Sequence, residues 1–139
     1  REFARYQKND VSLAMVVFEV VAQRGGEIFE LPQESLNSVA NCIRSACSPL
    51  DIVAYVGGTE FAVLLASTDG AGALDFAASL NETLQQFELP QFPGATLLAA
   101  FGVGSIPETC THPEVLVTAA RQAKEMAKSM PEPYCLFPA

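Results

Sequence analysis

The chain has 139 residues, 50% of them hydrophobic, which is enough for one sizeable core and too little for two. Asp and Glu number 16 against 8 Lys and Arg, and the resulting formal charge of -8 disfavours a broad electrostatic hold on nucleic acid or an anionic membrane. The longest apolar runs, such as LAMVVFEVVA, are too short and interrupted for a spanning helix, so no membrane insertion by this segment is expected. The start, REFARYQKND, has no signal-peptide pattern and begins at Arg1. It reads as a linker or helix remnant over residues 1–10, with the domain proper over 11–139 as part of a longer parent chain.

VSLAMVVFEVV, from Val11, is valine-rich with few polar interruptions, the pattern of a strand covered on both faces near the centre of a sheet. From Pro32 onward Leu36, Val39, Ala40, Ile43 and Cys47 recur at helical spacing; Pro32 suits a first turn and Pro49 ends the run. DIVAYV and EFAVLLA follow, separated only by Gly57, Gly58 and Thr59, and read as a hairpin whose glycines supply positive φ. Asp69 or Gly70 opens a second helix with a stripe of Ala73, Ala77, Leu80, Leu84 and Phe87, which ELPQFPG breaks. ATLLAAFGVGSI resumes as strand. HPEVLVTAARQAKEMAKSM makes a third helix with Leu116, Ala119, Ala120, Ala123 and Ala127 inward, and YCLF is a last short strand. Cys42 and Cys47 share one helical pattern while Cys110 and Cys135 lie in unrelated segments, so reduced packing thiols are expected; Cys110 with His112 is half a metal site without a second pair.

The first six elements have the ferredoxin-like or palm order βαββαβ, to which a helix and a strand are added at the C-terminus. That order implies an α+β domain with a central, mainly antiparallel sheet flanked by helices and crossovers over one face. It assigns no function by itself.

The residues carry a resemblance. DIVAYVGGTEFAVLL resembles the signature hairpin of the GGDEF domains, the diguanylate cyclases that join two GTP molecules into cyclic di-GMP in bacterial signalling. AAFGVGSI resembles that family's SIGVA strand, AARQAKEMAK its ADxALYxAK helix, and SLAMVVFEVV takes the place of the strand ending DxDxFK. The similarity runs from about Val11 to Phe137 in the right order and spacing.

The resemblance implies metal-assisted phosphoryl transfer, with magnesium held by anionic oxygen ligands. In this chain the family's first-strand metal Asp falls at Val17 and the third motif position, normally acidic, at Thr59. Valine offers no ligand and a neutral hydroxyl is a weak one, so the motif Gly57, Gly58, Thr59, Glu60, Phe61 is degenerate. Two residual acids remain, Glu60 in the motif and Glu19, on the same strand face as Val17. Each has a plain alternative: a solvated strand exit for Glu19 and a turn flank for Glu60. Gly57 and Gly58, which let backbone approach phosphates in the family, are equally expected in any tight reversal.

Other contacts implied by the family are eroded. The guanine-reading Asn and Asp fall near Arg24, Gly25 and Gln33 in AQRGGEIFELPQES, which is shorter by about one residue and leaves Gln33 as one hydrogen-bonding group. The inhibitory RxxD falls on residues 48 to 51 and reads SPLD: Asp51 is kept, but Ser48 cannot supply the arginine fork, so that site is expected to be absent. Lys128 matches the AK lysine that contacts phosphate, with Arg121 and Lys124 adding charge to the same general surface; a solvated basic helix end explains them as well.

The expectation is a catalytically inactive GGDEF-like regulatory domain with no cofactor, working through protein contact with itself or with an adjacent sensor or phosphodiesterase domain. Its place would be the cytoplasm, with any membrane anchor elsewhere in the parent chain. The alternative is a GTP-binding sensor or residual cyclase, using Gly57, Gly58, Gln33, Lys128 and Glu60 and requiring Mg.

Overall fold

The structure is a computed structural model that describes residues 12–109 and 111–138. Residues 1–10 and Cys110 lie outside the described residues. Nine elements follow one another: β1 (Leu13–Arg24), β2 (Glu27–Phe29), α1 (Gln33–Ser45), β3 (Ile52–Gly57), β4 (Glu60–Ala66), α2 (Gly70–Gln86), β5 (Thr96–Ile106), α3 (Pro113–Ala127) and β6 (Tyr134–Leu136).

They build one six-stranded sheet in the order β3-β4-β1-β5-β6, with β2 paired to the far end of β1. β1 is the central strand, as its unbroken apolar run requires: it lies antiparallel to β4, with Phe18 opposite Phe61, and to β5, with Phe18 opposite Phe101. Only β6 runs parallel to its neighbour, β5. This is the βαββαβ arrangement with an added C-terminal helix and strand and one extra short strand, β2, an α+β fold in which three helices flank the sheet.

Strand periodicity divides the core in two. Ala14, Val16, Phe18, Val20 and Ala22 of β1 point toward α1 and α2, meeting Leu36, Val39 and Ile43 from one helix and Ala73, Ala77, Leu80 and Leu84 from the other. The rings of Phe18, Phe61 and Phe101 stack across three strands, with centroids 5.7 Å and 4.9 Å from Phe18. The opposite face presents Val17, Ala100, Gly102 and Gly104 to α3, which answers with Leu116, Ala120, Ala123 and Ala127. Side chains there are small because α3 lies almost on the strands. A methyl group on Gly102 would collide with the Ala120 carbonyl oxygen and the Lys124 backbone nitrogen.

Local signals explain the helix starts. The Asp69 carboxylate accepts the Gly72 N–H at 2.8 Å and caps α2. Glu108, from the β5–α3 connection, accepts both the Gly70 N–H at 2.7 Å and the hydroxyl of buried Ser105 at 2.8 Å, tying the start of α2 to the end of β5. Pro113 begins α3. Pro32 stands one place earlier than the sequence implies: it is the residue before α1 rather than part of its first turn.

One segment differs in kind. AQRGGEIFELPQES, where the sequence suggests no separate element between β1 and α1, opens as a second hairpin, in which Arg24 pairs with Glu27 across Gly25 and Gly26, both at positive φ (60° and 86°). Two positive-φ residues in a two-residue connection match the right-handed twist of the flanking strands. Arg24 then lies over Phe92, 5.6 Å from the ring centroid.

Candidate functional site

The signature hairpin is a tight reversal docked on the central strand. Gly57 opposes Glu60, leaving Gly58 and Thr59 as the connection, with φ of 144° at Gly57 and 58° at Gly58. A bulge at Val56 shifts the register just before the turn. The Tyr55 hydroxyl donates to the Gly58 carbonyl at 2.7 Å, and the Val20 N–H donates to the Thr59 carbonyl at 2.9 Å. A Cβ on Gly57 or Gly58 would meet nothing within 4 Å, so torsion rather than crowding demands glycine there. Phe61, the last motif residue, points inward and is 1% exposed.

The site residues of β1 lie beside this hairpin, on the face covered by α3. Val17 is wholly buried, opposite Ala62 and Gly102. Glu19 lies directly across from Glu60, so the two residual acids are register partners. Like charges facing across a pair destabilise it unless something intervenes. Helix α3 intervenes. The Arg121 Nε donates to Glu60 Oε2 at 2.8 Å. The Glu19 carboxylate is held by Lys124 Nζ on Oε1 at 3.2 Å and by Lys128 Nζ on Oε2 at 3.0 Å. Glu125 completes the group, 3.4 Å from Lys124 and 3.2 Å from Lys128.

Glu60 does flank the turn, at the first residue of β4, but neither acid is freely solvated: the side chains of Glu19 and Glu60 are only 21% and 16% exposed. Nor is Lys124 part of a solvated face, since its side chain is 5% exposed. Arg121 at 42% and Lys128 at 40% are half in solvent. The hydrogen bond to Glu19 holds the Lys128 ammonium above its ordinary value despite partial desolvation, with Glu125 adding in the same direction. Glu125 is held below the ordinary carboxylate value, chiefly by its hydrogen bond from Lys128. The carboxylates of Glu19, Glu60 and Glu125 are thus matched by three cations, Arg121 and Lys124 of α3 and Lys128 at its C-cap, and their formal charges cancel.

The remaining sequence-derived positions are scattered. Gln33 is exposed on the first turn of α1, and its amide donates to Asn37 Oδ1 at 3.2 Å. Gly25 is consumed by the β1–β2 turn. Asp51 serves the backbone: its carboxylate accepts the Ser48 N–H at 2.9 Å and the Ala66 N–H at 3.2 Å. The surrounding depression, about 330 Å³, is lined by Arg44, Cys47, Ser48, Pro49, Asp51 and Val53. Arg44, four residues before Ser48 and outside the SPLD segment, lines the same depression and donates to Asn41 Oδ1 at 3.1 Å. The described cysteines Cys42, Cys47 and Cys135 are free thiols, each pushed up by burial.

Magnesium does not fit this arrangement. Val17 has no donor atom, both Glu19 oxygens and Oε2 of Glu60 are engaged by the chain's own cations, and among the described residues no three His, Cys, Asp or Glu side chains converge as a metal would need. Among the same residues no helix is long and apolar enough to cross a membrane.

Comparison with known proteins agrees with the fold. Solved structures similar to this chain include the GGDEF domain of PA1120 (YfiN or TpbB) from Pseudomonas aeruginosa, at 24% identity and a TM-score of 0.75, over 96% of this chain and 86% of that one. The active GGEEF domain of a diguanylate cyclase from Vibrio cholerae matches at 18% identity and 0.71, over 99% and 90%. The diguanylate cyclase SiaD of Pseudomonas aeruginosa, solved in complex with its activator SiaC, matches at 17% and 0.68, over 95% of this chain and 52% of that one. No curated protein sequence matches. The family model described as the GGDEF domain of diguanylate cyclases matches residues 20–132, a span that takes in the hairpin, Glu19's neighbour Val20 and all three cations of α3. The chain belongs to the GGDEF family.

Proposed function

We propose that this domain is a catalytically silent GGDEF domain that acts in cyclic di-GMP-related signalling through protein contact, as a module lying in the cytoplasm. The observation that carries the reading is the pairing of Glu19 and Glu60 with Lys124, Lys128 and Arg121, 2.8 to 3.2 Å apart. Phosphoryl transfer in the family needs cations beside the hairpin to offset phosphate charge. Here the acids are already neutralised, Val17 replaces one with hydrocarbon, and Thr59 replaces another with an alcohol. What persists is the core pattern and the docked hairpin, the part that a contact surface requires. A relative seen with an activator protein, SiaD with SiaC, is consistent with that mode of action.

A second reading, a GTP-binding sensor or residual cyclase, is favoured by one observation: the open space around Gly57 and Gly58, which would admit a phosphate. Calorimetric titration of the protein with GTP in the presence of Mg or Mn separates the two. The contact reading expects no saturable heat and no cyclic di-GMP in a turnover assay. Saturable GTP binding without turnover would establish the sensor, and turnover the cyclase. Acids restored together at Val17 and Thr59 are not expected to give robust turnover, since the paired guanine contacts are still missing, with Gln33 as one hydrogen-bonding group and Gly25 without a side chain; strong cyclic di-GMP production by that variant would overturn this.

A further inference from the structure

The disagreement between the family's metal and these residues has a specific physical content. Lys124 is a charged side chain at 5% exposure, a position that strongly penalises an ammonium unless carboxylates compensate it. Its amine reaches Glu19 at 3.2 Å and Glu125 at 3.4 Å. It gets there because Gly102 has no side chain: the helix backbone at Ala120 and Lys124 rests where a Cβ would otherwise be. Lys128 then takes the second oxygen of Glu19, and Arg121 takes Oε2 of Glu60.

We infer that Lys124 is a tethered cation that does internally what a bound divalent ion would do beside this hairpin, fixing Glu19 and locking α3 onto β1 in a state indifferent to divalent cations. The inference rests on the contact reading above and deepens it. A hairpin face closed by covalently attached charge keeps one shape at all magnesium concentrations, which suits a docking surface and not a site that loads and releases metal–nucleotide complexes. A lone lysine on a helix face would be an ordinary solvated charge. Burial, two carboxylate partners and a glycine clearance under its own backbone nitrogen make this one part of the core.

The test uses no nucleotide, so its failure is distinct from failure of the contact reading. Thermal unfolding is followed for the wild type, Lys124→Ala and Lys124→Met, with millimolar MnCl2 and with NaCl at matched ionic strength. The wild-type midpoint should move by less than about 1 °C with Mn, within the scatter of weak surface ion effects. Lys124→Ala should lose more than about 8 °C, since it leaves a cavity under α3 and takes from the largely covered Glu19 the cation on its Oε1, leaving only Lys128 on Oε2, and should regain at least half of that loss with Mn but not with NaCl. Lys124→Met fills the space with hydrocarbon and should lose stability without a Mn response. Marked Mn stabilisation of the wild type, or a Lys124→Ala protein as indifferent to Mn as the wild type, overturns the inference.

Should Lys124→Ala fail to fold, the double variant Glu19→Gln/Lys124→Met decides. It removes both charges at nearly constant volume and should recover most of the midpoint lost by Lys124→Met alone. A double variant no more stable than that single one would show that the ammonium does not serve Glu19, and would sink the proposal.

Discussion

Two glycine pairs stand at the most family-like stretches of this chain, and they are there for different reasons. Gly102 and Gly104 lie in the middle of β5, where added methyl groups would press on α3; Gly57 and Gly58 lie at the hairpin tip, where added methyl groups would meet nothing within 4 Å. The first pair supplies space and the second supplies torsion. Neither purpose needs a ligand. A glycine-rich motif should be divided into these two demands before any part of it is credited to nucleotide binding, and here the division accounts for both stretches. It also links them, because the clearance at Gly102 is what lets Lys124 approach Glu19, the register partner of Glu60 at the base of the hairpin.

The sharpest break of this comparison is Gly102→Ala. Its methyl would lie against helix backbone at Ala120 and Lys124, which cannot rotate aside, so α3 must lift from the sheet. The expected loss is at the top of the overpacking range, about 3 kcal/mol or more, in chemical denaturation. Faster hydrogen exchange in α3 should accompany it, together with loss of the Lys124–Glu19 contact. Gly104→Ala is the control: its methyl would be 3.1 Å from the Leu116 Cδ1, the end of a flexible side chain, and 3.3 Å from the Leu116 carbonyl oxygen. It should lose only about 1 kcal/mol. Equal losses at the two positions would refute the idea that α3 is seated on Gly102 in particular.

At the hairpin the expected effect is smaller and of another kind. Gly58 has φ 58°, a conformation that a β-branched residue resists, so Gly58→Val should lose about 1–3 kcal/mol with no clash to relieve. Gly58→Asn, which tolerates that conformation better, should lose distinctly less. Urea denaturation of the pair reads the torsional contribution directly, and a Val variant as stable as the Asn variant would mean that the turn is not tight.

Much of this arrangement is legible in sequence because it rests on short-range regularities. The valine run of β1, the helical stripes and the paired strands around Gly57 and Gly58 each carry their own period or turn chemistry and form, though two stripes stop short of their expected ends: Cys47 lies beyond the Ala46 cap of α1, and Phe87 is the extended cap of α2. The β1–β2 hairpin was missed although Gly25-Gly26 between residues able to extend is a hairpin signal; the polar residues Gln23, Arg24 and Glu27 hid the strand ends by looking like loop. The burial of Lys124 was not legible at all. On a helical wheel it belongs to a charged stripe with Arg121, Glu125 and Lys128, and only the distance between α3 and β5, fixed by a glycine more than twenty residues away in the chain, turns that stripe partly inward. The same non-local fact converts Glu19 and Glu60 from solvated remnants into members of a closed ion network.

The outer rim of that network gives the smallest effect. Glu125 is held below its ordinary value of 4.5, chiefly by the Lys128 hydrogen bond, so its contribution is in place above pH 4.5 and fades as pH falls through its lower folded value. Lys128 is held above 10.5, chiefly by Glu19, so its contribution is in place below pH 10.5 and fades as pH rises through its higher folded value. Between those limits the α3 rim should be fully charged and flat in pH. Both groups are well exposed, 57% for Glu125 and 40% for Lys128, so screening limits each pair to about 0.5 kcal/mol. Glu125→Gln should therefore differ from the wild type by a small margin near neutrality, lose that margin as the medium is acidified below pH 4.5, and lose it also in about 1 M salt, where the Debye length falls to about 3 Å. Lys124 lies deeper, at 5% exposure, and its contribution should resist the same salt. Scans of the two substitutions against salt thus divide the network into a screened rim and a protected centre, and identical salt responses would place Lys124 back on the surface.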